Sequence, residues 1–172
     1  MAKKEIQKKH GIVRNAVRKD LLYFAIPWIS VMLAGMVICA MDLIRRQGSL
    51  YESSTQNMVG LMPIVIGFVI ILIAQITLWK YYSSTLVIKE NHQLITHGIY
   101  RFVRHPIYLG NIIVFMGIAV YVSSLYGFLT LLGLIPVFIV RIRMEERLLT
   151  EEFGDRYRTY KKNTRKLIPF IF

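Results

Sequence analysis

"MVGLMPIVIGFVIILIAQITLW", residues 58–79, carries no charged side chain and is long enough to cross a lipid bilayer as one helix. A spanning helix needs about 20 apolar residues, because each residue rises about 1.5 Å and the hydrocarbon layer is about 30 Å thick. Three further apolar runs occupy residues 21–44, 106–124 and 125–140. The sequence therefore predicts an all-α integral membrane protein with about four transmembrane helices. The fourth run is short and contains Pro136, so we expect it to be tilted or kinked.

The composition agrees with this fold class. Of the 172 residues 55% are hydrophobic, and the net charge is +12. Lysine and arginine concentrate in residues 1–20, in the 80–104 segment and in the tail from Arg141 onward. Because basic loops stay on the cytoplasmic side, we expect both termini in the cytoplasm and the helices in the plasma or inner membrane. Orientation and attraction to membrane lipids account for the charge, so no nucleic-acid partner is expected.

The chain is expected to form one membrane-embedded domain, 1–172, in which residues 1–20 are a basic cytoplasmic arm. Cys39 is the only cysteine, and the four histidines lack the spacing of metal ligands, so we expect no metal site. Two pairs of glycines are seven residues apart, which places the members of each pair on one helix face and favours close helix packing. These pairs are Gly60 with Gly67, and Gly110 with Gly117.

The third apolar run begins in an unusual way, with the sequence "GIYRFVRHPIYLG". Pro106 has no N–H and disfavours helix at the preceding residue, which predicts that the third helix begins at Pro106 with His105 as its cap. The first N–H groups and the positive end of the helix dipole favour a small anionic ligand there. Polar side chains surround that point: Arg101, Arg104, His105 and Tyr108. The same residues are equally compatible with a simple membrane anchor at a helix start.

The tail supplies a second polar cluster, just past the fourth apolar run. Arg141, Glu145 and Glu146 fall there, on a helix expected to end at Gly154, and a short amphipathic helix is expected at about 155–163. The acidic residues form either salt bridges within the tail, such as Arg141–Glu145, or a functional site, since charges near membrane depth are functional candidates.

The two clusters together resemble a known family. "NHQLITHGIYRFVRHPIYLG", followed about thirty residues later by "RIRMEERLLTEEFGDRYRTYKKNTRKLIPFI", is similar to the isoprenylcysteine carboxyl methyltransferases and the related phospholipid methyltransferases. The resemblance covers about residues 85–171. It implies that this half binds S-adenosyl-L-methionine at the cytoplasmic face, with the helical tail closing the cofactor pocket. It also implies that a lipidic or prenylated acceptor enters between the membrane helices.

The resemblance assigns roles to individual positions. It implies these cofactor-binding residues: His92, Gln93, Leu94, Ile95, Tyr100, His105, Pro106, Ile107, Tyr108 and Glu145. Arg141 is the implied substrate-binding position, and Arg141 and Glu145 are the implied catalytic pair. The implied reaction is O-methylation of a carboxylate or acidic hydroxyl on an isoprenylcysteine-like lipid. Three alternatives stay open: a phospholipid or amine N-methyltransferase, an NADPH-dependent membrane reductase of similar architecture, and a non-enzymatic membrane scaffold.

Overall fold

The computed structural model describes residues 20–45, 54–79 and 93–167. A π-helical turn (Leu21–Ala25) leads into α1 (Ile26–Arg45), which is followed by α2 (Ser54–Leu78). A 3-10 turn (Gly98–Arg101) precedes α3 (Pro106–Tyr121), α4 (Leu125–Leu131), α5 (Leu134–Phe153) and α6 (Asp155–Asn163). The described chain is thus largely helical, and the prediction of an all-α membrane protein is confirmed.

The helices differ in length from the apolar runs that predicted them. By length and composition three helical stretches can cross a membrane: Leu21–Arg45, Asn57–Leu78 and Leu125–Phe153. Helix α3 has 16 residues and rises about 24 Å, which is less than the hydrocarbon thickness. The four-span count stays a prediction.

The fourth apolar run was expected to be short, but it forms the apolar part of the 29-residue stretch that α4 and α5 build together. The α-helical structure is interrupted between Leu131 and Leu134. Pro136 lies in the first turn of α5, where a proline removes no helical hydrogen bond. The irregularity therefore lies just before the proline, and the helix continues past residue 140 with charged residues.

Helices α2 and α3 pack antiparallel along the four glycines. A Cβ placed on Gly67 would lie 2.7 Å from the carbonyl oxygen of Gly110, and one on Gly117 would lie 2.9 Å from the backbone nitrogen of Ile64. A Cβ on Gly60 would collide with the backbone of Tyr121. The predicted role of the glycine pairs in close packing is confirmed, because only hydrogen fits between these backbones.

Helix α1 packs antiparallel on α4 and α5 around a buried cluster. Its members are Cys39, Ala119, Leu131, Leu134 and Phe138. At the end of this packing Ser124 donates a hydrogen bond to Asp42 at 2.5 Å. The same Ser124 oxygen accepts the Gly127 N–H at 3.0 Å, which caps the first turn of α4.

The opposite end of the bundle holds the buried charged residues Asp20, Arg104, Arg141 and Glu146. There the segment after α6 runs beside the start of α3: Arg104 N–H donates to the Arg165 carbonyl at 2.8 Å, and His105 N–H donates to that of Lys166 at 3.1 Å. The tail predicted to close the site therefore does lie against it. The basic arm falls outside the described residues except for Asp20, and so do residues 168–172.

Candidate active site

The site begins at the start of α3, which is as the sequence predicts. Pro106 is the first residue of the helix and His105 is its cap residue, with φ −126° and ψ 58°. The His105 side chain makes no capping hydrogen bond. Its ring is instead buried and stacks on Tyr108, with centroids 5.7 Å apart and planes at 19°. The backbone bond to Lys166 and this stacking together fix the position of the imidazole.

Two neighbouring carboxylates face the His105 ring. Glu145 Oε2 lies 3.8 Å from Nδ1, and Glu146 Oε1 lies 3.6 Å from Nε2. Both distances are beyond hydrogen-bond range. Nε2 is buried and has no hydrogen-bond partner among the described residues. A buried polar atom in that state is unusual in a stable fold and marks a position where a ligand atom would be stabilised.

Glu146 is the centre of a buried charge cluster. It accepts from Arg104 Nε at 2.9 Å, and Lys161 Nζ lies 3.0 Å from its other oxygen. Arg104 also donates to the carbonyls of Lys161, at 3.1 Å, and Thr164. These contacts join α5, α6 and the start of α3. The acidic residues therefore do not pair only within the tail, because Arg104 precedes Glu146 by 42 residues.

The charge cluster shifts the pKa of Glu146, which lies in α5 beyond the apolar run 125–140. Burial raises this pKa, but the contacts with His105, Lys161 and Arg104 outweigh burial and lower it from 4.5 to about 2. The carboxylate is therefore held ionised. In α6, burial raises the pKa of Tyr157 and of Tyr160, so both phenols stay protonated.

A polar chain of hydrogen-bonded side chains runs from Asp20, just before the π-helical turn, to α5. Arg141 is 3% exposed and donates through Nε to the Tyr108 hydroxyl at 3.3 Å. That hydroxyl donates to Glu145 Oε2 at 2.8 Å. The other side of the guanidinium donates to Asp20, and its carbon lies 5.0 Å from the centre of the Phe24 ring. Arg141 is thus linked to Glu145 through the Tyr108 hydroxyl and is paired with Asp20.

Sequence reasoning missed Asp20, Phe24 and the role of Glu146. Asp20 belongs to the segment taken as a basic arm, and its partner is 121 residues away. One signal was available, since Asp20 is an acidic residue placed directly before the first apolar run. The local sequence does not distinguish Glu146 from its neighbour Glu145.

The predicted cofactor positions from His92 to Tyr100 precede α3 in the chain. His92 is outside the described residues, and Gln93, Leu94 and Ile95 form irregular chain in which Gln93 is exposed. Tyr100 is buried, and its carbonyl accepts the Tyr160 hydroxyl at 2.7 Å, which ties the 3-10 turn to α6. The cofactor roles of these residues stay predictions.

Chemically, the arrangement offers one place for an anion and one for a cation. The first N–H groups of α3 point toward its start and attract negative charge. Glu145, with a side chain 33% exposed, is the more open of the two carboxylates. Among the described residues no group of three or more His, Cys, Asp or Glu side chains is arranged to hold a metal ion.

Comparison with known proteins gives a consistent family. The family model described as phospholipid methyltransferase matches residues 55–156. A probable protein-S-isoprenylcysteine O-methyltransferase of Oryza sativa subsp. indica is 35% identical over 116 residues, which are 66% of this chain and 61% of that protein. Methanethiol S-methyltransferase 1 of Bradyrhizobium diazoefficiens is 44% identical over 73 residues, which are 42% of this chain and 25% of that protein.

The solved structure of the eukaryotic intramembrane Ras methyltransferase, isoprenylcysteine carboxyl methyltransferase, has a similar fold. The TM-score is 0.72 at 24% identity, with 84% of this chain and 52% of that chain covered. The chain spans about three fifths of the length of the first plant relatives. The similarity to the solved structure covers a larger share of the chain than the family-model match does.

Proposed function

Because this chain belongs to the phospholipid methyltransferase family, we propose that it is a membrane methyltransferase that uses S-adenosyl-L-methionine. The proposed acceptor is a carboxylate or acidic hydroxyl on a lipidic, isoprenylcysteine-like molecule. The observation that carries the proposal is the polar chain at the start of α3, where the Tyr108 hydroxyl joins Arg141 to Glu145 beside the buried His105 ring.

The residues at this site fit the amino-acid end of the cofactor. A carboxylate would be held by the first N–H groups of α3. His105 Nε2, which has no hydrogen-bond partner among the described residues, would gain one from an uncharged polar group of the cofactor. An ammonium group would be held by Glu145. When bound, S-adenosyl-L-methionine supplies an electrophilic methyl group on a sulfonium. The protein's task is to place the acceptor in line with that group and to exclude water.

The acceptor class follows from Arg141. A carboxylate is ionised at pH 7, since its pKa is near 4, and needs no general base before methylation. An arginine fork holds such an anion in a bidentate way. An alkyl amine, with a pKa near 10, must first lose a proton, and the buried guanidinium beside it would repel the protonated form. These relations favour O-methylation over N-methylation.

Calorimetry on the detergent-solubilised protein tests the cofactor part of the proposal. We expect S-adenosylhomocysteine to bind and NADPH not to bind. Binding of NADPH alone would favour the reductase, and binding of neither would favour the scaffold.

Methyl transfer from labelled cofactor tests the acceptor part. An S-prenylated N-acetylcysteine is the acidic probe, and a lipid with an ethanolamine headgroup and methanethiol are the matched amine and thiol probes. We expect label in the acidic probe. Label in the amine or thiol probe alone would contradict the assignment of the acceptor.

A further inference from the structure

Asp20 pairs with the guanidinium of Arg141, the group that the proposed function assigns to binding of the acceptor. Both residues are buried, with Asp20 7% and Arg141 3% exposed. Their pair joins the residue directly before the π-helical turn to the charged half of α5. Tyr108 and the Phe24 ring also contact this guanidinium.

Asp20 is not a helix cap, because its side chain makes no capping hydrogen bond to the π-helical turn. The turn is closed by an i→i+5 bond from Ile26 N–H to the Leu21 carbonyl. Such wide turns are rare and occur frequently at functional sites. The geometry of the turn places the Asp20 carboxylate on Arg141.

A second carboxylate at Arg141 would create a conflict of charge. One guanidinium neutralises one carboxylate, and two carboxylates at one buried cation leave a net negative charge where the dielectric constant is low. An acidic acceptor and Asp20 therefore exclude each other at Arg141.

We propose that Asp20 stands in for the carboxylate of the acceptor on Arg141 and is exchanged for it when the acceptor binds. This makes Asp20 a residue that sets acceptor specificity, and the inference rests on the proposed function. The exchange keeps one carboxylate on the buried guanidinium throughout, so the Arg141 charge is never left without a partner. A neutral thiol or a protonated amine does not displace Asp20, and such acceptors are rejected.

The test compares two ligands that differ in charge alone: an S-prenylated N-acetylcysteine and its carboxamide. Affinities are measured by calorimetry with S-adenosylhomocysteine present. Asp20→Asn should bind the carboxylate about tenfold more tightly than the wild type does, with the carboxamide unchanged. A merely structural role would weaken both ligands alike. Unchanged or weaker binding of the carboxylate overturns the proposal.

The matched control is Asp42→Asn. This carboxylate belongs to α1, but its bond to Ser124 lies at the other end of the bundle. Both affinities should equal those of the wild type. A tightening at Asp42→Asn as large as that at Asp20→Asn would overturn the proposal, because it would reflect overall charge.

A measurement on the wild type covers the case in which Asp20→Asn does not fold. Hydrogen exchange over residues 20–26 should become faster when the carboxylate binds and should not change with the carboxamide. Slower or unchanged hydrogen exchange with the carboxylate overturns the proposed displacement of Asp20. If the wild type methylates the carboxylate while these results fail, only the displacement of Asp20 is wrong. If the wild type neither binds nor methylates the carboxylate, the proposed acceptor is wrong, and the displacement of Asp20 with it.

Discussion

Glu145 and Glu146 are neighbours in sequence but face about 100° apart on their helix, so they have different partners. Glu146 is enclosed by Arg104 and Lys161, whereas Glu145 reaches the Tyr108 hydroxyl and stays half-buried. The first arrangement stabilises the fold, and the second leaves a carboxylate available to a ligand. Substitution of Glu146 should therefore change mainly the stability of the fold, and substitution of Glu145 mainly the binding of the cofactor.

Glu146→Gln should lower the free energy of unfolding by roughly 3–5 kcal/mol, because it leaves the Arg104 charge buried without its partner. Thermal unfolding in detergent measures this change. Glu145→Gln is the matched variant: it should unfold close to the wild type but bind S-adenosylhomocysteine about tenfold more weakly. Equal effects of the two variants on both measurements would contradict this division.

The low pKa of Glu146 also links stability to acid. The pKa is about 2 in the folded protein and 4.5 ordinarily, so the contribution is complete above about pH 4.5 and is lost as the pH falls toward 2. Unfolding in detergent, followed from pH 6 to pH 2, should show this loss in the wild type. Glu146→Gln should lack that component, and an identical acid profile in both proteins would contradict the assignment.

Tyr108→Phe removes the hydroxyl between Arg141 and Glu145 and leaves the ring that stacks on His105. This hydroxyl positions Glu145, the proposed partner of the cofactor's ammonium group. A hydrogen bond to a charged group contributes about 1.5–3 kcal/mol, so the affinity for S-adenosylhomocysteine should fall roughly ten- to a hundredfold when it is lost. Tyr126→Phe is the control, because Tyr126 is 70% exposed in α4. Unchanged affinity in Tyr108→Phe would mean that the Tyr108 hydroxyl at the start of α3 does not contribute to cofactor binding.

At the scale of elements, the sequence predicts what local chemistry determines. Pro106 removes a donor and begins α3, and the bounds of α6 follow from Gly154, which has φ +54°, a backbone conformation that favours glycine. The Asp20–Arg141 pair and the Arg104–Glu146 pair join distant parts of the chain, and no local pattern specifies such partners. The interruption between α4 and α5 was also missed in detail, since apolar residues continue across it.

The packing of α2 on α3 should tolerate no added methyl group. In Gly67→Ala the Cβ would meet the Gly110 carbonyl at 2.7 Å, and backbone cannot move aside as a side chain can. Overpacking of this kind costs about 1–3 kcal/mol, measured as a lower unfolding temperature in detergent. Ile66→Ala, at a neighbouring position that is 50% exposed, should change it little. A stable Gly67→Ala protein would show that the helices can separate without cost.

At the scale of the whole molecule, the start of α1 and the segment after α6 lie at the same end of the bundle. The loop charges predict that this end is cytoplasmic. Lys162→Cys should therefore react with an impermeant maleimide only in opened cells, whereas Tyr126→Cys should react in intact ones. Cys39 is buried and can stay in place. Reaction of Lys162→Cys in intact cells would reverse the proposed orientation.

The hydrogen bond from Arg104 to the Thr164 carbonyl has a consequence for biosynthesis. The two residues are 60 positions apart, and a ribosome adds about 5–20 residues per second, so about 3–12 s pass between them. The Glu146 carboxylate follows Arg104 after 42 positions, and the Thr164 carbonyl completes the surroundings of Arg104 only at the end of this interval. The site therefore assembles late in translation, and a nascent chain halted before residue 164 has its membrane helices but no completed site.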